Sequence, residues 1–349
     1  MASADLTARL RLSVLDQSPI PEGHTAGDAL RNSIDLAHLA DKLGFERYWV
    51  AEHHGTPGLA CNSPEVLMGP IAAATRRIRV GSGGVMLPHY SPLKVAENFG
   101  MLSSLYPGRI DLGIGRAAGT SRNVAFALQR DRRQPAPDDF PEQFRELLGY
   151  LSDAPEPHTA MRHLGSYRAT AAKAEPWLLG SSPQSGIWAA QLGLPYAFAD
   201  FINPQGSAIA NHYVRAFQPS QFGARPRLAV AAWVICAPTD EEAERLSLSA
   251  RMMMAMLLRG MLIPVPTIER AKEFLKSEGV PAQMLAAGRR FITGSPTKVR
   301  SAIEELAGEY RAEEVLLVNI LHSHEARRRS YELIAKEFSL SSALNAAVA

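Results

Sequence analysis

A chain of 349 residues, 46% hydrophobic and 21% charged, has an ordinary globular composition with enough apolar material for one large core or two smaller ones. Its 37 Lys and Arg against 35 Asp and Glu leave a net charge of +2, too little of either sign to point to nucleic acid or an anionic membrane surface, so the expected partner is a small molecule. The two cysteines, Cys61 and Cys236, lie far apart, which argues against a disulfide framework and a cysteine-based zinc site and for a reducing cytoplasm.

Met1 to Arg11 has charges but no apolar core for a signal peptide, and the longest apolar run, Leu228 to Ala237, is too short to cross a bilayer. Neither export nor membrane insertion is expected. The first strand runs from Leu10 to Asp16 and exits through Gln17, Ser18 and Pro19. From Asp28 to Leu43, polar residues recur at Arg31, Asp35, His38 and Lys42, the narrow wet stripe of a helix, with His38 on the solvated side. Phe45 to His54 is an aromatic and β-branched run ending at Glu52, His53 and His54, a second strand arriving at a site. Successive strand residues face opposite ways, so both imidazoles cannot serve one metal. One inward imidazole beside a carboxylate suits a general base or hydrogen-bond donor, with a buried structural histidine as the competing reading.

Pro64 to Arg76 reads as a helix and Ile78 to Leu87 as a third strand, whose Gly81, Gly83 and Gly84 either let something flat approach the backbone or mark a bulge. Pro92 to Leu105 is the next helix and Arg109 to Arg116 a fourth strand. Gly113, Gly115 and Gly119 imitate a dinucleotide fingerprint, but the third glycine comes one residue late and no strand ending in an acid follows. Arg116 offers instead a planar, permanently charged fork to a phosphate.

A helix over Phe140 to Leu151 and an irregular connection to Glu175 lead to the stretch PWLLGSSPQSGIWAAQLGLPYAFA, Pro176 to Ala199. A buried strand ends at Gly180, and Ser181, Ser182 and Ser185 crowd the opening of a helix, where unpaired N–H groups and the helix dipole favour an anion. The plainer reading is that these serines only cap the helix. Gly193 and Pro195 close it and a sixth strand starts at Tyr196. Asp200, Phe201, Asn203 and Pro204 form a polar exit; a helix over Ser207 to Phe217, a seventh strand over Leu228 to Cys236 and a long helix capped by Thr239 follow. A methionine-rich run from Met252 to Pro266 suits either a lid over an apolar substrate or core filling. The chain ends with a helix at Ser295 to Tyr310, an eighth strand at Glu314 to Ile320 and a helix at Ser323 to Phe338. Eight strands alternating with helices predict an α/β protein, a single-domain (β/α)₈ TIM barrel over 1–349 with insertions at its C-terminal face, where the site belongs; a doubly wound sheet would also alternate in this way.

The segments YWVAEHH, VGSGGVMLP, RIDLGIGR and GSSPQSGIWAAQLGLPYAFA, in this order and spacing from Leu12 to Glu337, resemble the bacterial luciferase-like flavin-dependent monooxygenases. The resemblance implies FMN across the barrel mouth, its phosphate held by Arg116, Ser181, Ser182 and Ser185. Gly83 and Gly84 fall where the family often has a cis peptide beneath the isoalloxazine ring, and His53 matches the histidine credited with proton handling. Asp200 and Phe201 fall at the ring's edge. The implied chemistry starts from reduced FMN, delivered by a separate NAD(P)H-dependent reductase. Dioxygen adds to give a peroxyflavin that oxidises a small, apolar organic substrate. Relatives also include deazaflavin-dependent hydride-transfer enzymes and non-catalytic flavin binders, and a homodimer is the expected assembly.

Overall fold

Nine short runs, mostly apolar, form the parallel strands of one sheet in the computed structural model, which describes residues 10–116, 122–129, 132–133, 138–152, 173–278 and 291–340. They are β1 (Arg11–Asp16), β2 (Arg47–Val50), β3 (Arg79–Met86), β4 (Ile110–Gly115), β5 (Glu175–Gly180), β6 (Tyr196–Ala199), β7 (Leu228–Cys236), β8 (Phe291–Gly294) and β9 (Glu314–Val318). Strands β1 to β7 pair in sequence, β7 also pairs with β9, and β9 returns to β1, closing a parallel ring of eight. Helices cover its outside, as the (β/α)₈ expectation requires.

Two elements lie outside that expectation. Strand β8 pairs with the far half of β7, Trp233 to Cys236, beyond the residues that β6 reaches. At four residues it is too short to show any periodicity. Helix Ile268–Glu278 follows the methionine-rich stretch, whose first part belongs to helix Asp240–Leu258. Most of the irregular connection before Glu175, and Gly119, lie outside the described residues.

Alternation along each strand separates two cores. Leu12, Val14, Tyr48, Val80 and Leu112 face the helices. Leu15, Trp49, Trp177, Ala197, Ala229, Ala231 and Leu316 fill the barrel. At the N-terminal end of the strands the interior is ionic: Arg47 reaches Asp111 at 2.8 Å, Glu314 at 3.0 Å and Glu175 at 3.2 Å. Glu175 also meets Arg227 at 2.5 Å. Trp49 and Trp177, ring centroids 5.3 Å apart, lie over this floor and donate their indole N–H groups to Asp111 and Glu175. Above them the alanines of β6 and β7 are too small to fill the barrel, which leaves its C-terminal half open.

A second buried ion pair ties the first strand to the last helix. Asp16 accepts from Arg327 at 2.8 Å, Tyr48 Oη at 2.6 Å and the Ser18 amide at 2.9 Å. Burial alone would raise the carboxyl's pKa, but Arg327 and the hydrogen bonds prevail and lower it.

Candidate active site

The open half of the barrel is a cavity of about 530 Å³, within the range of small-molecule sites, and its walls come from the C-terminal ends of the strands and the loops after them. Most of the lining is apolar, including Leu15, Trp49, Leu179, Ala197, Ala231 and Leu316. Polar groups gather on two sides: Gln17, Glu52 and His53 after β1 and β2, and Arg116, Ser181, Ser182 and Ser185 after β4 and β5. Gly83, Gly84 and Phe201 complete the group of expected residues that line it.

The second strand stops at Val50 rather than running to His54, so Glu52, His53 and His54 belong to its exit loop and strand alternation no longer constrains them. The His53 amide donates to the Cys61 carbonyl at 2.9 Å, which fixes the loop. Its buried Nδ1 has no hydrogen-bond partner among the described residues. Burial, and then the neighbouring His54, push the imidazole's pKa down to about 4. His53 is therefore neutral at pH 7, able to accept at one nitrogen and donate at the other. The carboxylate beside an imidazole is present, but its imidazole is His54: Glu52 Oε1 lies 2.7 Å from His54 Nε2 and accepts from Tyr90 Oη at 2.9 Å. Glu52 Oε2 accepts from the Met86 amide at 3.0 Å, pinning the end of β3 to this loop.

The depressed pKa makes stability depend on pH. An unfolded imidazole takes its proton near pH 6.5 and the folded one near pH 4, so between those values the unfolded chain binds more protons and stability falls as pH falls. By pH 4 the loss should approach about 3 kcal/mol. Denaturant titrations at pH 7, 5 and 4 on the unsubstituted chain and on His53→Gln check it: the variant should lose less stability on acidification, and parallel losses would mean that His53 is not held neutral.

The bulge expected among the glycines of β3 is present. Register with β4 breaks between Ser82 and Val85, so Gly83 and Gly84 form a bulge, and the peptide between them is cis. A Cβ on Gly83 would come within 2.4 Å of Leu15 Cδ1, and one on Gly84 within 2.8 Å of the Gly113 carbonyl oxygen. Both glycines are needed by the packing of neighbouring strands and also present bare backbone to the cavity.

At the far side, helix Pro183–Gln191 begins directly after β5. Ser182 holds its N-cap position without a side-chain capping bond, and Pro183 follows with no N–H to satisfy, so the serines are not spent on capping. Ser185 Oγ donates to the Ser182 carbonyl at 2.8 Å and lies 2.8 Å from Tyr196 Oη, which ties the loop to β6. Asn203 Nδ2 donates to the Ser181 carbonyl at 2.9 Å. These bonds hold the loop, and Ser181 and Ser182 line the cavity. The Arg116 guanidinium stands 5.7 Å from the centre of the Trp188 ring and pairs with Asp138 at 3.0 Å. Trp188 in turn stacks on Phe140, both lining the cavity, and neither is marked by any pattern in the sequence.

Asp200 is the exception among the expected residues. Its carboxylate is fully buried on the helix side of the sheet, accepts from Tyr310 Oη at 2.9 Å and does not line the cavity. Strand β6 ends at Ala199, so Asp200 lies in the turn that follows, where its bond to Tyr310 holds it on the helix side. Among the described residues no group of three His, Cys, Asp or Glu is placed to hold a metal ion, and no helix is long and apolar enough to cross a membrane.

The residues present fit a flavin mononucleotide: a helix start with Ser181 and Ser182 and an arginine on one side, bare glycine backbone and the His53 imidazole on the other. Comparison with known proteins gives the family. A family model described as luciferase-like monooxygenase matches residues 10–312. The chain is 39% identical to a luciferase-like monooxygenase of Escherichia coli K12 over 327 residues, 93% of this chain and 96% of that one. It is 37% identical to the N-acetyl-S-alkylcysteine monooxygenase of Bacillus subtilis over 331 residues, 93% and 97% of the two chains. Among solved structures, apo-MsnO8 superposes with a TM-score of 0.86 at 39% identity, covering 95% of this chain and 98% of its own.

Proposed function

This chain belongs to the luciferase-like monooxygenase family, and from that premise we propose that it is an FMN-dependent monooxygenase that inserts one atom of dioxygen into a small, apolar organic substrate and releases the other as water. The observation that carries this reading is the single cavity onto which His53, Gly83, Gly84, Arg116, Ser181, Ser182, Ser185 and Phe201 converge from five separate strand ends. Reduced FMN, delivered by a separate NAD(P)H-dependent reductase, supplies the electrons that activate oxygen. A nicotinamide fold on Gly113 and Gly115 is disfavoured by their place in β4, where a Cβ on Gly113 would lie 2.1 Å from the Ser82 carbonyl oxygen rather than beside a ligand.

The residues divide the labour. Arg116, the Ser181 and Ser182 hydroxyls and the free amides at the start of helix Pro183–Gln191 hold the phosphate. Ser185 keeps that loop in shape through Tyr196. The bare backbone of Gly83 and Gly84 supports the ring. Trp49, Leu179 and Leu316 exclude water, and the His53 imidazole, neutral at pH 7, holds or passes a proton.

Titration with FMN and with riboflavin, which lacks the phosphate, tests this. Arg116→Ala should weaken FMN binding by roughly tenfold to a hundredfold, the loss of about 1.5 to 3 kcal/mol typical of a charge-assisted hydrogen bond, and leave riboflavin binding within about twofold. Equal loss for both ligands would remove Arg116 from the phosphate site. Preference for a deazaflavin over FMN would overturn the cofactor assignment.

A further inference from the structure

At the exit of β1 the cavity wall holds a polar side chain that the protein leaves without a partner. Gln17 follows Asp16, the last residue of the strand, lines the cavity and is 6% exposed. Among the described residues nothing hydrogen-bonds to its amide. Neither its Oε1 nor its Nε2 is sealed inside the protein, so the surface that the residue keeps includes the amide and opens on the cavity. The backbone on both sides is fixed without its help: the Asp16 carbonyl accepts from the Ala51 amide at 3.0 Å, the Ser18 carbonyl accepts from the Ala60 amide at 2.9 Å, and Ser18 Oγ lies 2.9 Å from Ser33 Oγ. Leu15 of the same strand and Leu316 of the neighbouring β9 make the wall beside it apolar. Burying an amide costs stability unless the amide is bonded, so packing gives no reason for a glutamine here.

We propose that Gln17 selects the substrate: its amide receives a neutral polar head, an amide group by preference, at the tip of an otherwise apolar molecule. The inference rests on the FMN reading above and deepens it. In the closed ring β1 lies four strands from β5 by either route, so Gln17 stands across the mouth from the serine loop, on the side that a flavin with its phosphate at that loop leaves for the substrate. The surrounding charges exclude an ionised head. Arg116 lines the serine side, so a carboxylate beside Gln17 would meet no permanent cation and would face Glu52. An ammonium would find Glu52 already bonded to His54, Tyr90 and the Met86 amide. Gln17 offers one acceptor oxygen and two N–H donors. A second amide meets them with two parallel hydrogen bonds, a ketone with one, and a hydrocarbon with none, which leaves the buried amide unpaired.

Three probes of one shape separate these cases. Hexanamide, 2-heptanone and 2-methyl-1-heptene carry a carboxamide, a methyl ketone and its alkene isostere on the same pentyl chain. Each is titrated by calorimetry into the chain loaded with oxidised FMN, which does not turn over. Gln17→Leu should weaken hexanamide binding by about tenfold or more and 2-heptanone binding by less, and should leave 2-methyl-1-heptene unweakened. The ligand-free melting temperatures of Gln17→Leu and Gln17→Met should be unchanged or raised, because neither substitution breaks a hydrogen bond within the protein. Equal effects on all three probes, or no binding of hexanamide to the loaded chain, overturn the inference and leave the FMN reading standing. A melting temperature lowered in both variants overturns it too, since the fold itself would then use the amide. Loss of FMN affinity in Gln17→Leu would assign the residue to the flavin ring and overturn its role towards substrate. No uptake of FMN by the unsubstituted chain overturns the flavin reading and this inference with it.

Discussion

Replacing Arg47 with methionine should destabilise the protein by about 4 kcal/mol, the range seen when one partner of a buried ion pair is removed. Arg47 is almost wholly buried and carries the balancing charge for Asp111 and Glu314, both fully buried, and for Glu175. Burial alone would lower its pKa, but the three carboxylates outweigh that and raise it, so the guanidinium stays charged at any working pH. Methionine fills much of the same volume and neutralises nothing. Glu314 would then be left with Arg11 alone, at 3.7 Å, since Arg79 serves Asp111, at 2.5 Å. Denaturant unfolding should show the loss, with little dependence on ionic strength because the pairs are shielded from solvent ions. Pairing the change with Glu314→Gln should recover part of it. A loss below about 1 kcal/mol would mean that the floor tolerates an unmatched charge, contrary to the cost expected for buried ions.

His53→Ala should cut oxygenation turnover by about a hundredfold at pH 7, the lower end of what a positioned proton-transfer group contributes, while FMN affinity stays within about threefold. His53 lines the cavity and its imidazole is held neutral, chiefly by burial, so its removal takes away a proton site rather than a charge. Substrate-dependent oxygen consumption measures the first quantity and flavin titration the second. If FMN affinity collapses with activity, His53 is holding the pocket together through its loop instead of serving the chemistry.

The ring strands were legible because a parallel strand buried on both faces reads as a continuous apolar run, as in Leu228 to Cys236 and Glu314 to Val318. The serine loop was legible because a strand, a glycine and a helix start follow one another within a few residues. What escaped was whatever depends on residues distant in sequence. No local spacing links Arg47 to Glu314, 267 positions away, or assigns Glu52 to His54 rather than His53. The face taken by Asp200 escaped because it lies in the turn just past Ala199 and is fixed by Tyr310, 110 positions away. The resemblance gives Ser185 to the phosphate, and the contact of its hydroxyl with Tyr196 is one that only the closed barrel creates.

The charged layer beneath Trp49 and Trp177 makes the barrel a vessel stoppered at one end. If the open half holds a flavin and a substrate as proposed, entry from the side of the floor is closed and traffic acquires an order: a flavin seated against the wall would have to arrive before a molecule stacked above it, and that molecule would have to depart before the flavin could be exchanged.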